Sequence, residues 1–196
     1  LAPELTRWSI HAVLREYAPL RRELPWLRCA INLSPKVFSQ SGIGDQISGA
    51  LALWGIPPES LTLEVTETAV MDDPELSSAT LRELRDTGVR VAIDDFGQGY
   101  SSFTYLKHFP ATELKIDQGF VGGSPDQPRK RAVVEASLDL ARKLDLSVVA
   151  EGVETMEEWQ LLAQLGCDFA QGYLISPPVT GEELPAAIQR WRTTRH

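Results

Sequence analysis

The sequence predicts an α/β fold, a TIM-like (β/α)8 barrel of which this chain supplies six strands, and three observations predict it. Short β-branched or apolar runs recur at residues 29–32, 61–64, 89–95, 113–115, 147–151 and 169–171. Amphipathic helical stretches separate them, which is the pattern of βα units around a parallel sheet. Each run also ends on a carboxylate, amide or ammonium, and barrel enzymes collect their chemistry at the carboxyl ends of the strands. An open doubly wound sheet is the alternative, but it gathers ligand groups at one switch point, whereas here every strand contributes. Six strands leave a barrel with unpaired edges and exposed interior side chains. A closed barrel would thus be missing two strands here, and the chain is expected to begin inside a larger domain.

The elements follow in order. Leu5, Trp8, Val13, Leu14 and Tyr17 fall at three- and four-residue spacings, so residues 1–28 read as helical up to the first strand, with Pro25 in the approach. A helix over 43–54 stops at Gly55, and Pro57-Pro58 separates it from the strand at 61–66. A helix over 76–86 is closed by Gly88, and the next strand, 89–93, leads into the loop 94–100 with its two glycines. A short helix near 101–108 and the strand ending at Lys115 come next, then an exposed loop over 122–128 rich in Gly, Pro and Asp. A helix over 129–144, a strand over 146–150, a helix over 155–165 stopped by Gly166, a strand over 169–174 and a helix over 182–191 complete the pattern.

With 196 residues, 43% of them hydrophobic, the chain has enough material for one core, and residues 1–196 read as one domain. The 27 acidic residues outnumber the 19 basic ones, and a net charge of -8 gives no footprint for duplex nucleic acid or an anionic membrane. An anionic substrate would need local cations. Two cysteines, Cys29 and Cys167, cannot form a disulfide framework, so a reducing cytoplasm is expected. No run approaches the roughly 18 apolar residues of a membrane span. The segment is expected to make no membrane contact itself, although a longer parent could be anchored.

Asn32, Glu64, Asp94, Asp95 and Glu151 are hard oxygen donors, and none of the three histidines follows a strand. Oxygen-only ligation selects Mg²⁺, Mn²⁺ or Ca²⁺ over zinc or copper. Adjacent aspartates at a strand end can address two cations, Asp94 bridging both and Asp95 binding one. Two cations about 4 Å apart activate a water and neutralise charge on a phosphoryl group, so phosphodiester hydrolysis is the natural reaction. Lys115 can steer the water or a phosphate oxygen, and Glu151 can ligate metal or accept a proton.

A single carboxylate after a strand is usually a helix cap or a solvated turn. Five at one rim repel one another unless a cation or proton intervenes, which points to metal. Asp117 has a structural ion pair with Lys115 as its plainer duty, and Glu67 and Glu154, three residues beyond rim carboxylates, could support the ligands or simply face solvent. Gly97-Gln98-Gly99 reads as a flexible lid rather than a phosphate loop, and Ser101 and Ser102 as caps rather than nucleophiles. The five tryptophans read as core packing.

Six ordered motifs carry a resemblance: Ile31-Asn32-Leu33-Ser34, Leu63-Glu64-Val65-Thr66-Glu67, Asp94-Asp95-Phe96-Gly97-Gln98-Gly99-Tyr100-Ser101-Ser102, Leu114-Lys115-Ile116-Asp117, Ala150-Glu151-Gly152-Val153-Glu154-Thr155 and Gln171-Gly172-Tyr173. From about Leu1 to Pro178 the chain resembles the EAL family of cyclic di-GMP phosphodiesterases. The resemblance implies linearisation of cyclic di-GMP to pGpG with two Mg²⁺ or Mn²⁺ ions. It puts Asn32, Glu64 and Asp94 on the first metal, and Asp94, Asp95 and Glu151 on the second. It gives Lys115 and Gln171 the water and phosphate, with Asp117 and Glu154 among the substrate contacts. It has Glu67 brace the loop 97–102, which in the family reaches a dimer interface, so a homodimer is expected. A GGDEF or sensory module upstream in the parent is a further expectation. The Glu-Ala-Leu segment and the first two strands, which the resemblance places before Leu1, are absent from these residues, so the chain as given is expected to lack one carboxylate of the first metal and the following Arg, and to be impaired. Gln98, Gln118-Gly119 and Pro177 also depart from the common pattern.

A working phosphodiesterase is the first functional reading, because every rim residue this segment can supply is present. A catalytically impaired cyclic di-GMP receptor or protein-interaction module is the second. An enolase-like barrel using Lys115 as base on a carboxylate substrate is a remote third.

Overall fold

The computed structural model describes residues 2–34, 36, 42–97 and 109–193. Two compact units divide it, Leu1–Glu113 and Leu114–His196. Of the loop expected over 94–100, residues 94–96 instead continue a strand and 98–100 lie outside the described residues, as do the helix expected near 101–108 and the capping roles of Ser101 and Ser102.

In the first unit, helix α1 (Ala2–Glu23) precedes β1 (Cys29–Asn32), α2 (Ile43–Trp54), β2 (Leu61–Thr66), α3 (Glu67–Asp72), α4 (Pro74–Asp86) and β3 (Arg90–Phe96). Helix α1 buries Ile10, Leu14, Tyr17 and Ala18, and the Tyr17 hydroxyl donates to the Leu27 carbonyl at 2.5 Å. The helix ends at Glu23, short of the expected 28, because Pro25 and Trp26 form a turn. Helix α2 stops at Gly55, whose left-handed φ of 64° lets its N–H and that of Ile56 close on the last-turn carbonyls.

The strands β1, β2 and β3 lie side by side in chain order and run parallel. Sequential order without reversal is barrel-like, since a doubly wound sheet reverses at its switch point. Leu61 and Leu63 of β2 and Leu14, Ile47, Leu81 and Leu84 of the helices are completely buried in one core. Truncating any one of the leucines to Ala would cost about 2–5 kcal/mol. Helix α3 is too short for periodicity to reveal, but its cap was in plain sight: Thr66 Oγ1 accepts the Ala69 N–H at 3.3 Å. Asp73 caps α4 in the same way, accepting the Leu76 N–H at 3.1 Å, with Pro74 at the first helical position.

The second unit opens within β4 (Glu113–Ile116) and continues through α5 (Gln118–Val121), α6 (Pro128–Lys143), β5 (Ser147–Ala150), α7 (Met156–Leu165), β6 (Phe169–Ala170) and α8 (Leu184–Thr193). The strand order is again sequential, β4-β5-β6, with β5 and β6 parallel. Strand β6 is two residues long rather than six. Beyond Ala170 the backbone leaves the ladder and bonds to the loop that follows β5, Val153 N–H to Gln171 O at 3.0 Å and Leu174 N–H to Val153 O at 3.0 Å. No helix among the described residues is long and apolar enough to cross a membrane.

Candidate active site

In the first unit the register decides which donors share a face. Asn32 pairs with Glu64 across β1 and β2, and Glu64 pairs with Ala92 across β2 and β3. Paired residues of parallel strands point to the same side, and Asp94, two residues beyond Ala92, points there as well. Asn32, Glu64 and Asp94 therefore lie on one face, stepping forward along the strands. Glu64 is buried and Asp94 half-buried.

Asp95 follows in a left-handed conformation, φ 57°, and the Asp94 Oδ1 accepts its N–H at 3.0 Å. Aspartate tolerates this region better than most residues, but it still costs energy that an ordinary strand position would avoid. The twist turns Asp95 off strict alternation, so that the two aspartates offer carboxylate oxygens within 4.8 Å of each other. Two anionic oxygens that close suit a shared cation. Beside them, the buried Glu67 accepts the Gly97 N–H at 3.1 Å, fixing the first residue of the glycine loop. Burial and the negative charge of Glu64 push the Cys29 thiol up to about 11, so it stays protonated and is no thiolate ligand at neutral pH.

In the second unit Lys115 and Glu151 form an ion pair at 2.7 Å. The Glu151 N–H also donates to the Ile116 carbonyl at 3.0 Å, extending the β4–β5 contact one residue past the strand. Asp117 is buried, and its Oδ1 accepts the Gly119 N–H at 2.8 Å, capping α5. Gln171 is exposed and joins the 150–153 backbone through its own N–H and carbonyl. Glu154 is exposed as well. Two glycines make room here: a Cβ on Gly152 would fall 2.4 Å from Gln118 Cβ, and one on Gly172 would fall 2.2 Å from the Val153 carbonyl oxygen.

One residue escaped the sequence reading. Glu158 is buried in the first turn of α7, and its carboxylate accepts N–H groups from Gly123 at 2.8 Å, Glu154 at 2.9 Å and Thr155 at 3.1 Å. Its local part was legible as a Thr-x-x-Glu capping box at 155–158; its reach to Gly123 was not.

Comparison with known proteins gives a consistent picture. A family model described as the EAL domain matches residues 1–178. The bifunctional diguanylate cyclase/cyclic di-GMP phosphodiesterase MucR of Pseudomonas aeruginosa is 43% identical over 159 residues, which cover 81% of this chain and 23% of MucR. The chain thus spans under a quarter of that relative's length. The EAL domain of Mycobacterium smegmatis DcpA superposes with a TM-score of 0.90 at 38% identity, covering 97% of this chain and 86% of that one. Klebsiella pneumoniae BlrP1, solved with manganese and cyclic di-GMP, superposes with a TM-score of 0.80 at 33% identity, covering 92% of this chain and 47% of that one. The fold class is α/β, the TIM-like barrel type of these domains.

Proposed function

Since the chain belongs to the EAL domain family, we propose that it hydrolyses cyclic di-GMP to linear pGpG with two divalent cations, Mg²⁺ or Mn²⁺. The shared face of Asn32, Glu64 and Asp94 is the observation that carries this reading. A buried carboxylate and a second one on the same face favour a cation between them. The donor set fits hard divalent ions, being oxygen throughout, with the nearby Cys29 thiol held protonated.

In this reading Asn32, Glu64 and Asp94 would hold one cation, and Asp94, Asp95 and Glu151 the other. When bound, the pair supplies charge neutralisation at the phosphodiester and lowers the pKa of the attacking water. Lys115, fixed by its ion pair, holds a compact positive charge for a phosphate oxygen or for orienting the water. Glu151 would accept a proton from the water, a role its carboxylate chemistry supports. Glu67 holds Gly97 and so the approach to the aspartates. Gln171, Asp117 and Glu154 contribute to substrate binding, Gln171 through a backbone locked to the segment after Glu151. The reading puts the domain in the cytoplasm, where two free thiols are stable, and in a homodimer. The cyclase activity in the name of MucR supports a GGDEF or sensory module elsewhere in the parent protein.

Incubating the full-length protein with cyclic di-GMP and Mn²⁺, with and without chelator, tests the reading. Appearance of pGpG that needs the metal and is abolished in Asp94→Asn supports it. Tight binding of cyclic di-GMP with no turnover under any metal overturns hydrolysis in favour of a receptor.

A further inference from the structure

We infer that Glu158 is a positioning residue that holds the Glu151 segment in its ligating conformation. The inference deepens the proposed function and rests on its assignment of Glu151 as a metal ligand.

A capping box needs little of Glu158: its carboxylate should accept the N–H of the N-cap, Thr155, while Thr155 Oγ1 accepts the Glu158 N–H, here at 3.2 Å. The structure has more than that. The same Oε2 also takes the Glu154 N–H, and Oε1 reaches back to the Gly123 N–H, 35 residues earlier. Neither bond serves the start of α7. The far anchor is itself firm, because Lys130 Nζ donates to the Gly122 carbonyl at 2.7 Å and Ser124 is completely buried.

Between Glu151 and Thr155 the chain has little freedom. Its beginning is held by the Glu151 N–H bond to Ile116 O and by the Lys115 ion pair. Its middle is pinned by Val153 bonds to Gln171 and Leu174, and Gly152 lies so near Gln118 that a Cβ there would clash with it. Glu158 closes its end. A carboxylate that collects three backbone N–H groups makes strong, charge-assisted bonds, and 4% exposure shields them from competing water. Without it, Glu154 and Thr155 lose the bonds that stop the Glu151 side of the loop from shifting away from β4.

The test is Mn²⁺ binding to the full-length protein without substrate, measured by the electron paramagnetic resonance of free Mn²⁺. Glu158→Ala should weaken binding by about tenfold or more, the usual effect of removing a group that orients a ligand. Thr155→Ala removes the other half of the capping box but leaves the carboxylate, so it should leave Mn²⁺ affinity within about twofold while lowering the melting temperature. Should Glu158→Ala fail to fold, Glu158→Gln serves instead, because an amide has one acceptor oxygen and must abandon Gly123 or the Glu154–Thr155 pair. Equal affinity loss in the Thr155 and Glu158 variants would reduce Glu158 to a helix cap and overturn the inference. So would normal affinity in the Glu158 variants when Glu151→Gln is weakened. Unchanged Mn²⁺ binding in Glu151→Gln would instead overturn the ligand assignment beneath it, and the inference with it.

Discussion

The Lys115 ammonium lies 2.7 Å from a Glu151 carboxylate oxygen, with Lys115 4% and Glu151 19% exposed. All four residues of β4 are buried, so an ammonium in this strand requires an anionic partner close by. The neighbouring strand supplies one at the first residue past its end. The pair therefore neutralises a buried cation at the end of its strand, and the proposed function rests two of its roles on that same contact.

Breaking the pair from one side should be expensive. Glu151→Gln leaves the ammonium facing a neutral amide and should cost about 3 kcal/mol in urea unfolding. The double variant Lys115→Met with Glu151→Gln should recover part of that loss, because the ammonium deprived of its 2.7 Å carboxylate is removed as well. Equal losses that simply add would contradict the coupling.

Asp95 offers a separation of backbone from charge. Asp95→Asn and Asp95→Gly keep a residue that tolerates φ 57°, so both should melt near the native temperature yet lose metal-dependent turnover. Asp95→Val should lose turnover and about 1–2 kcal/mol of stability besides, since a β-branched side chain resists this region. Circular dichroism melts with the hydrolysis assay distinguish the two effects.

Two glycines should respond in opposite directions. Gly172→Ala drives a Cβ into the Val153 backbone and should destabilise by about 3 kcal/mol. Gly49→Ala, on the exposed side of α2 with nothing within 4 Å, should stabilise by about 0.5–1 kcal/mol. Thermal unfolding of each reads the sign directly.

Acid should weaken the Glu158 clamp. Burial by itself would raise this carboxyl, but hydrogen bonds from Gly123, Glu154 and Thr155 outweigh it and hold it below its ordinary value of 4.5. A depressed carboxyl contributes stability that is complete above 4.5 and lost as pH falls through the folded value. The stability advantage of the native protein over Glu158→Gln should therefore be constant near neutrality and shrink below pH 4.5. A gap that widens in acid would contradict the N–H bonds.

The sequence by itself determined the alternation of strands and helices, the sequential α/β class and the oxygen-only character of the donors. These are written in local periods and in residue types, and Gly55, Gly88 and Gly166 mark helix ends where they were expected. It did not determine which donors share a face, because that depends on register between strands some thirty residues apart, here Asn32 with Glu64 and Glu64 with Ala92. Nor could it choose between partners: Asp117 stands two residues from Lys115 yet caps α5, while Glu151, far along the chain, forms the ion pair. Short helices such as α3 and α5 span too few residues for a period to emerge. Glu158 makes the same point from the other side, since a capping box is visible in four residues but the Gly123 it also holds is visible only once the chain has folded back. Hydrogen bonds and ion pairs depend on distances of about 3 Å, and only tertiary packing sets distances at that scale between residues remote in sequence.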